Sequence, residues 1–343
     1  MARVERIRFA WPYRWLFLLA AFCCAPLPSY ATDVVFLKLV DQTVPSIAGL
    51  LRADQMGAFR DEAIALNIVG DGSENDLRKD ISRVEVYLLP ADKFLSMRAK
   101  GIKLTSFAVN AADSAVRLYF RRGSGVHALS DLTGRSIGCR CTTSETIVLE
   151  LLLEKNGISK SGLTEVPHSG PDQLLTGGVD VLIASVGFDA PPEQEAKLNM
   201  QASASALSAA QIDSLDPRSF GVHVPGTFFA TSEETLRKDP SVIVRFLRAV
   251  IKGWENVYED TNASAKLLSE RAPQLTRASL QSTLDLQRDY ILPGGQRFGE
   301  TSRSKLGELY SFMLRRRLLP AAIDLLGAID ERPLLDAYRR PRE

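Results

Sequence analysis

The sequence has no surplus of charge of either sign. Its 343 residues contain 42 Lys and Arg against 41 Asp and Glu. Proteins that bind nucleic acid need clustered cations to neutralise phosphates. The one cationic run here, at 315–317, is interpreted as a solvated helix face. Nucleic acid is therefore not expected as a partner.

Residues that commonly form metal and cofactor sites are also scarce. The three histidines, His127, His168 and His223, do not show the spacing of metal ligands. The sequence contains no H-E-x-x-H zinc motif and no phosphate-binding Walker loop. Gly70 and Gly72 lack the third glycine of a dinucleotide-binding fingerprint. We expect no catalytic residues, no metal and no cofactor.

The chain has four cysteines, of which Cys139 and Cys141 lie outside the first 31 residues. A disulfide across a single intervening residue is strained, and a metal site would need two further ligands. We expect two small buried side chains that take no part in catalysis. Oxidation in an exported compartment is the alternative.

The first 31 residues have the layout of a secretory signal peptide. Four arginines occur within the first 14 residues, a short apolar run follows at 16–25, and Ser29-Tyr30-Ala31 is a small-x-small cleavage pattern. The apolar run is shorter than the roughly 20 residues that span a bilayer. We expect cleavage after Ala31 and export to the periplasm, with an uncleaved anchor as the alternative.

Strands and helices are predicted to alternate through the first half of the mature chain. Runs rich in β-branched and aromatic residues predict strands at 34–39, 63–69, 84–89, 103–109 and 115–120, and again at 135–138, 163–166 and 179–184. This alternation indicates mostly parallel sheets covered by helices on both faces. Two such units fit a chain of this length.

From residue 232 onward the pattern is almost entirely helical. Pro240 follows Asp239 in the arrangement of a helix start, and an apolar stripe of helical period runs from Val242 to Tyr258. We interpret this long helix as structural. Further helices are predicted at 263–271, 277–290 and 302–316.

Polar side chains recur where a predicted strand ends and a helix begins. In open α/β sheets, ligands bind at the carboxyl ends of strands, and helix N-termini favour anionic or polar groups. The ligand-binding candidates are Gln42, Ser46, Ser73, Thr142, Thr143, Ser144 and Ser185, with Phe188 and His223 as lower-ranked wall residues. For any single position, plain helix capping is the simpler interpretation. Because these turns carry no evident acidic cluster, we expect an acidic or strongly polar head group.

Several segments match, in order, those of one protein family. DLTGRSIG at 131–138 is similar to the family's DLKGKKIG, and GVDV at 178–181 to its G-x-V-D-A segment. Residues 49–69 resemble its opening helix and strand, and residues 226–260 its return segment. On these motifs the chain from about Val34 to Tyr338 resembles the SsuA/THI5-like (NMT1-like) substrate-binding proteins of ABC importers.

The resemblance implies an α/β, two-lobed type II periplasmic-binding-protein fold with the ligand cleft between the lobes. Residues 32–120 would begin lobe one, 121–222 would form lobe two, and 223–343 would supply a return segment and C-terminal helices. The expected function is delivery of a small polar or anionic solute to the membrane permease of an ABC importer. The solute would be a sulfonate, nitrate, a pyrimidine or an aromatic acid, and the protein a monomer.

Three alternatives stay open. Gly72–Asn75 also resembles the TAXI-type binding proteins of TRAP transporters. A binding lobe of this kind could instead signal by docking on a sensor. Some relatives are pyrimidine synthases with a cysteine-rich motif, to which Cys139-Arg140-Cys141 is weakly similar.

The sequence also departs from the family at 80–90, where the family commonly has Gly followed by Ala-Asp, and this leaves the solute class open.

Overall fold

The computed structural model describes residues 32–69, 84–140, 142–167, 169–186 and 212–339. The first sheet contains β1 (Asp33–Leu39), β2 (Ile64–Val69), β3 (Val84–Pro90), β4 (Leu104–Val109) and β10 (Thr227–Ser232). The second contains β5 (Val116–Arg121), β6 (Ser136–Cys139), β7 (Thr164–Pro167), β8 (Val181–Ser185) and β9 (Ile212–Leu215). The helices are α1 (Ala48–Gln55), α2 (Ala58–Asp61), α3 (Ala91–Ala99), α4 (Thr143–Lys155), α5 (Pro171–Thr176), α6 (Glu233–Lys238), α7 (Pro240–Glu259), α8 (Thr261–Arg271), α9 (Arg277–Ile291), α10 (Arg303–Arg315) and α11 (Arg332–Tyr338).

Both sheets are mixed. Their strand orders are β2-β1-β3-β10-β4 and β7-β6-β8-β5-β9. In the first sheet β1 runs parallel to β2 and β3, while β10 runs antiparallel to β3 and β4. In the second, β6 runs parallel to β7 and β8, while β5 is antiparallel to β8 and β9. The expectation of mostly parallel sheets is confirmed for strand direction, because four of the five strands in each sheet run the same way. The exceptions are β10 and β5, which enter their sheets from the opposite lobe and not through a helical crossover.

Each of the eight strands predicted from the sequence is present within two residues of its expected bounds. Two of the ten described strands are not among these eight. One is β10, which lies in the segment 226–260 that was matched to the family's return segment. The other is β9, whose four residues read IDSL. A run this short, with two polar residues, is below the length at which period-two alternation can be recognised.

The first crossing between the lobes comes earlier than expected. β5 was predicted as part of lobe one, within 32–120, but it lies in the second sheet. The chain therefore crosses at residues 110–115, before this strand, and returns through residues 221–226. Hydrophobic alternation identifies a strand but does not say which sheet it joins, so the boundary was misplaced.

The long helix α7 lies against α1 in the core of lobe one. Two glycines permit this close approach: a Cβ on Gly253 would lie 2.1 Å from the backbone oxygen of Gly49, and one on Gly49 would meet the Trp254 ring at 2.4 Å. Phe246 on the same helix makes edge contacts with Phe107 and Phe229. The apolar stripe of α7 is thus buried in the lobe-one core, as its period predicts.

Helix α10 connects the two lobes. Leu306, Leu309, Phe312 and Met313 are buried in a hydrophobic cluster that includes residues of α3 and of α4. On the surface, Glu308 pairs with Lys155 of α4 at 3.1 Å. Through the described part of the chain, no helix is long and apolar enough to cross a membrane.

Candidate functional site

A cleft of about 630 Å³ lies between the two lobes. Lobe one contributes the turn after β1 and the start of α3, and lobe two the start of α4 and the end of β8. Both crossing segments line it as well, at 110–115 and 224–227. The site therefore forms where the strands of both sheets end, the place where open α/β sheets bind ligands.

The two crossing segments run side by side. The backbone N–H of Asn110 donates to the carbonyl of Thr227 at 2.7 Å, and that of Ser114 to the carbonyl of Val224 at 2.7 Å. Gly226 is required here, because a Cβ at this position would lie 2.5 Å from the carbonyl oxygen of Asp113. Paired crossings of this kind form a hinge whose few residues absorb a change in lobe orientation.

Gln42 and Ser46 both line the cleft, and they hydrogen-bond to each other. The Ser46 hydroxyl lies 3.0 Å from Gln42 Oε1, and Gln42 Nε2 donates to the carbonyl of Val40 at 2.8 Å. Ser46 was expected to cap the following helix, but a 3₁₀ turn already begins at Pro45. Its hydroxyl instead accepts the backbone N–H of Thr43 at 3.1 Å.

Thr43, which lies between Gln42 and Ser46 in the sequence, was not predicted as a site residue. Its Oγ1 is buried, lines the cleft region, and has no hydrogen-bond partner among the described residues. Thr43 lies in the loop that follows β1, and this position at a strand end could have identified it as a site residue.

The turn before α4 brings one predicted residue into contact with the opposite lobe and leaves another in solvent. Thr142 is the N-cap of α4 and forms a capping box with Glu145, so its hydroxyl accepts the Glu145 N–H at 3.3 Å. Thr143 is exposed and does not line the cleft. Ser144 lines the cleft and donates to Asp92 Oδ1 of lobe one at 2.6 Å. Thr142 and Ser144 both line the cleft. The capping box accounts for the Thr142 hydroxyl, and Ser144 carries the cross-lobe contact.

Asp92 is the main site residue that the sequence analysis missed. It lies in the first turn of α3, is 4 % exposed and lines the cleft. Oδ1 accepts the Ser144 hydroxyl, while Oδ2 is buried without a partner among the described residues. Burial raises the pKa of this carboxyl, and the Ser144 hydrogen bond offsets part of that rise. Asp92 follows β3 directly. The rule that ligands bind at the carboxyl ends of strands, applied to the end of β3 at Pro90, would therefore have included Asp92.

The remaining predicted residues divide between the cleft and elsewhere. Ser185, at the end of β8, lines the cleft. His223 is exposed and is not among the lining residues, since Val224 and Pro225 face the cleft in its place. Ser73 and Phe188 lie outside the described residues.

The cleft carries more acidic side chains than expected. Asp41, Asp92, Asp113 and Glu145 line it, alongside Arg140 and Arg271. Asp113 pairs with Lys305 and lies 3.9 Å from Arg218. Burial raises the pKa of Glu145, against the lowering effect of the Thr142 N–H bond. α3 and α4 thus each bring one largely buried carboxyl, Asp92 and Glu145, to the cleft from opposite lobes.

Cys139 is buried, as expected, and it is disulfide-bonded, which is the alternative that the sequence left open. Cys141 lies outside the described residues. In the described ranges there is no group of three or more His, Cys, Asp or Glu that could hold a metal ion.

Residues 134–138, GRSIG, match the G-x-S-x-G pattern of hydrolase nucleophile elbows. Ser136 opens β6, whereas an elbow serine lies in a turn from a strand into a helix. Its hydroxyl donates to Asp180 Oδ2 at 2.8 Å and accepts the Asp180 N–H at 2.9 Å. The serine therefore joins β6 to the segment before β8 and is structural.

The family described as NMT1/THI5 like matches residues 44–264. The chain belongs to the NMT1/THI5-like family. No curated protein sequence matches it. Solved structures give its fold: the aliphatic sulphonate binding protein SsuA from Escherichia coli superposes with a TM-score of 0.68 at 14 % identity, over 88 % of this chain and 92 % of that one.

Two further structures have the same fold. The alkanesulfonate-binding protein SsuA from Xanthomonas axonopodis pv. citri, bound to MOPS, matches with a TM-score of 0.60 at 16 % identity, covering 88 % and 99 % of the two chains. The desulfurization enzyme DSZB matches with a TM-score of 0.56 at 15 % identity, covering 89 % and 98 %. This NMT1/THI5-like chain therefore has the periplasmic-binding-protein fold, which binding proteins and at least one enzyme share.

Replacing Ser144 with alanine should loosen the contact between the lobes. The change removes the hydrogen bond to Asp92 and leaves a buried carboxylate with neither oxygen paired, at a cost of roughly 1–2 kcal/mol. We expect a lower free energy of unfolding and a larger radius of gyration by small-angle scattering. Thr143→Ala is the matched control, since the neighbouring side chain is exposed. Equal scattering curves for the two variants would show that the lobes do not depend on this contact.

Proposed function

We propose that the mature chain is an extracytoplasmic solute-binding protein that delivers a small polar solute to the permease of an ABC importer. The observation that carries the proposal is the cleft, whose walls come from both lobes and whose floor is the paired crossing segments. Its volume of about 630 Å³ lies in the range of small-molecule sites. A solute held by both walls favours closure about the hinge.

Membership of the NMT1/THI5-like family and the likeness to two SsuA proteins support this proposal. Sulfonates, nitrate, pyrimidines and aromatic acids are the solute classes to test first. The likeness to DSZB leaves catalysis as the competing function. A binding protein returns its solute unchanged, and this separates the two functions.

The test is a thermal-shift screen of the protein lacking residues 1–31 against these four classes. A solute that binds only the native state raises Tm by mass action. Each hit is then incubated with the protein and analysed by mass spectrometry, where we expect one unaltered solute per chain. Release of a chemically altered product would identify an enzyme, and the absence of any hit would count against a solute-binding role.

We further propose that the protein is exported and that its mature form begins at Thr32. The motivation is the cationic start, the apolar run at 16–25 and the pattern Ser29-Tyr30-Ala31. Intact-mass measurement of the periplasmic fraction should give the chain from Thr32 onward. Replacing Ala31 with a bulky residue such as phenylalanine should block that processing, while Thr32→Val should leave it intact. A periplasmic protein that retains residues 1–31 would contradict the prediction.

A further inference from the structure

Two polar atoms at the lobe-one wall of the cleft have no hydrogen-bond partner among the described residues. They are Asp92 Oδ2 and Thr43 Oγ1. Both lie where a strand of the first sheet ends, after β3 and after β1. Buried polar atoms in native proteins are almost always paired, so two such atoms in one cleft call for a partner that the described residues do not supply.

Of the two, Asp92 carries the stronger requirement. A buried carboxylate without a cation or a full set of donors is costly, and no ion pair to it occurs in the described part of the chain. The adjacent Lys93 extends toward Asp41, at 3.9 Å. Glu145, another largely buried carboxyl at the cleft, accepts the Thr142 N–H at 3.2 Å, and the charge of Arg140 offsets part of the rise that burial causes in its pKa. Asp92 therefore keeps one acceptor oxygen without a donor among the described residues, whereas Glu145 accepts a backbone N–H.

The position of Asp92 links this free acceptor to lobe closure. Its Oδ1 accepts a hydrogen bond from Ser144, which belongs to the other lobe. In the structure Ser144 donates to Oδ1 and Oδ2 is enclosed. Separation of the lobes about the hinge would remove Ser144 from Oδ1 and open both oxygens to the cleft. A group that pairs with Oδ2 must therefore enter while the lobes are apart and be enclosed as they close.

We infer that the solute presents an N–H donor, on an ammonium, amidinium or aromatic amino group, to Asp92 Oδ2. The inference rests on the proposed function and narrows its solute class. A nitrogen donor both fills the vacant acceptor and, when cationic, compensates the buried charge. A sulfonate or nitrate without such a nitrogen offers only acceptor oxygens to this point of the cleft.

The test uses three pairs of probes that differ in one amino group. They are 2-aminoethanesulfonate against ethanesulfonate, 4-aminopyrimidine against pyrimidine, and benzylamine against toluene. Each is titrated calorimetrically, up to millimolar concentration, into wild-type protein and into two variants. Asp92→Asn exchanges the free acceptor for an amide. Asp172→Asn is the matched control, because Asp172 is also the second residue of a helix, α5, but lies outside the cleft lining.

We expect the amino member of at least one pair to bind wild type at least tenfold more tightly than its partner. That preference should fall at least tenfold in Asp92→Asn and remain within twofold in Asp172→Asn. Amino-free probes that bind wild type equally well would overturn the inference and leave the proposed function intact. So would an Asp92→Asn variant that keeps the full preference for the amino member, since the free carboxylate oxygen would then not be what recognises the nitrogen. If none of the six binds wild type, the inference fails, and the four-class screen then decides separately whether the proposed function survives.

A second measurement does not depend on any ligand. If Oδ2 is kept free for a solute, Asp92→Asn removes an uncompensated charge and should raise the Tm of the ligand-free protein near neutral pH. Ser144 can still donate to the amide oxygen, so the cross-lobe hydrogen bond is preserved. A lower Tm than that of Asp172→Asn would show that this carboxylate stabilises the fold itself, and the inference would be wrong.

Discussion

Replacing Trp254 with alanine should lower the free energy of unfolding by roughly 3–5 kcal/mol, the range for a fully buried aromatic side chain. The ring has no exposed surface, packs over Gly49 and stacks with Tyr258 at a centroid distance of 5.8 Å. Its Nε1 donates to Asn110 Oδ1 at 2.9 Å. The substitution therefore opens a cavity between α1 and α7 and removes the partner of a hinge residue.

Chemical denaturation followed by circular dichroism measures this loss, and Trp254→Phe divides it into its two parts. Phenylalanine fills most of the cavity but cannot donate to Asn110, so we expect a loss of about 1–2 kcal/mol for that variant. Trp254 does not line the cleft, and solute affinity measured on folded protein should change little in either variant. A Trp254→Ala protein within 1 kcal/mol of wild type would mean that the site repacks around the missing ring.

Local patterns predicted the elements of this fold but not the way in which they assemble. The stripe from Val242 to Tyr258 identified α7 because one face of a helix is buried along its whole length. The strand at 115–120 was also recognised, but its sheet was not, since the partner of β5 is β8, more than sixty residues later. Strand direction depends on where the chain crosses between lobes, and hydrophobic alternation carries no such information.

The candidate site shows the same division. Gln42, Ser46, Thr142, Ser144 and Ser185 were predicted from the rule that ligand sites in α/β proteins lie at strand ends. All five line the cleft, and their binding of a ligand stays a prediction. Asp92 also lies at a strand end, but it was missed because the predicted candidates were mainly hydroxyl side chains at helix starts. Its hydrogen bond to Ser144 joins the two lobes and leaves no pattern in the local sequence. Contacts between the lobes join residues that are far apart in the sequence, so local sequence patterns do not reveal them.

The second large effect is expected at Asp216, the centre of a polar network beside the hinge. Its carboxylate accepts hydrogen bonds from Arg117 of β5 at 3.0 Å, from the Tyr290 hydroxyl at 2.9 Å and from Arg218 Nη2 at 2.7 Å. Arg218 also lies over the Tyr290 ring, 3.8 Å from its centroid. Tyr290 belongs to α9, which packs on α8 and on the turn Pro45–Ile47 of lobe one. The network therefore ties the second sheet to the C-terminal helices.

Asp216→Ala leaves two largely buried guanidinium groups without their carboxylate. Breaking a buried charge pair in this way costs roughly 3–5 kcal/mol, and we expect a loss of that size in urea denaturation. Asp213→Ala is the matched control three residues away, because its ion pair with Arg122 is exposed on both sides. Exposed pairs contribute about 0–1 kcal/mol. Equal losses in the two variants would show that the network adds nothing beyond a surface ion pair.

The pH dependence of stability tests the same carboxylate independently. Burial alone would raise the pKa of Asp216, but hydrogen bonds from Arg218 and Tyr290 and the charge of Arg218 hold it below its usual value. A carboxyl with a lowered pKa in the folded state adds stability that is present above about pH 4, its unfolded value. That stability is lost as pH falls through the folded value. Wild type should therefore lose stability more steeply below pH 4 than Asp216→Asn, whereas parallel pH profiles would mean that the folded protein does not hold this carboxylate in its charged form.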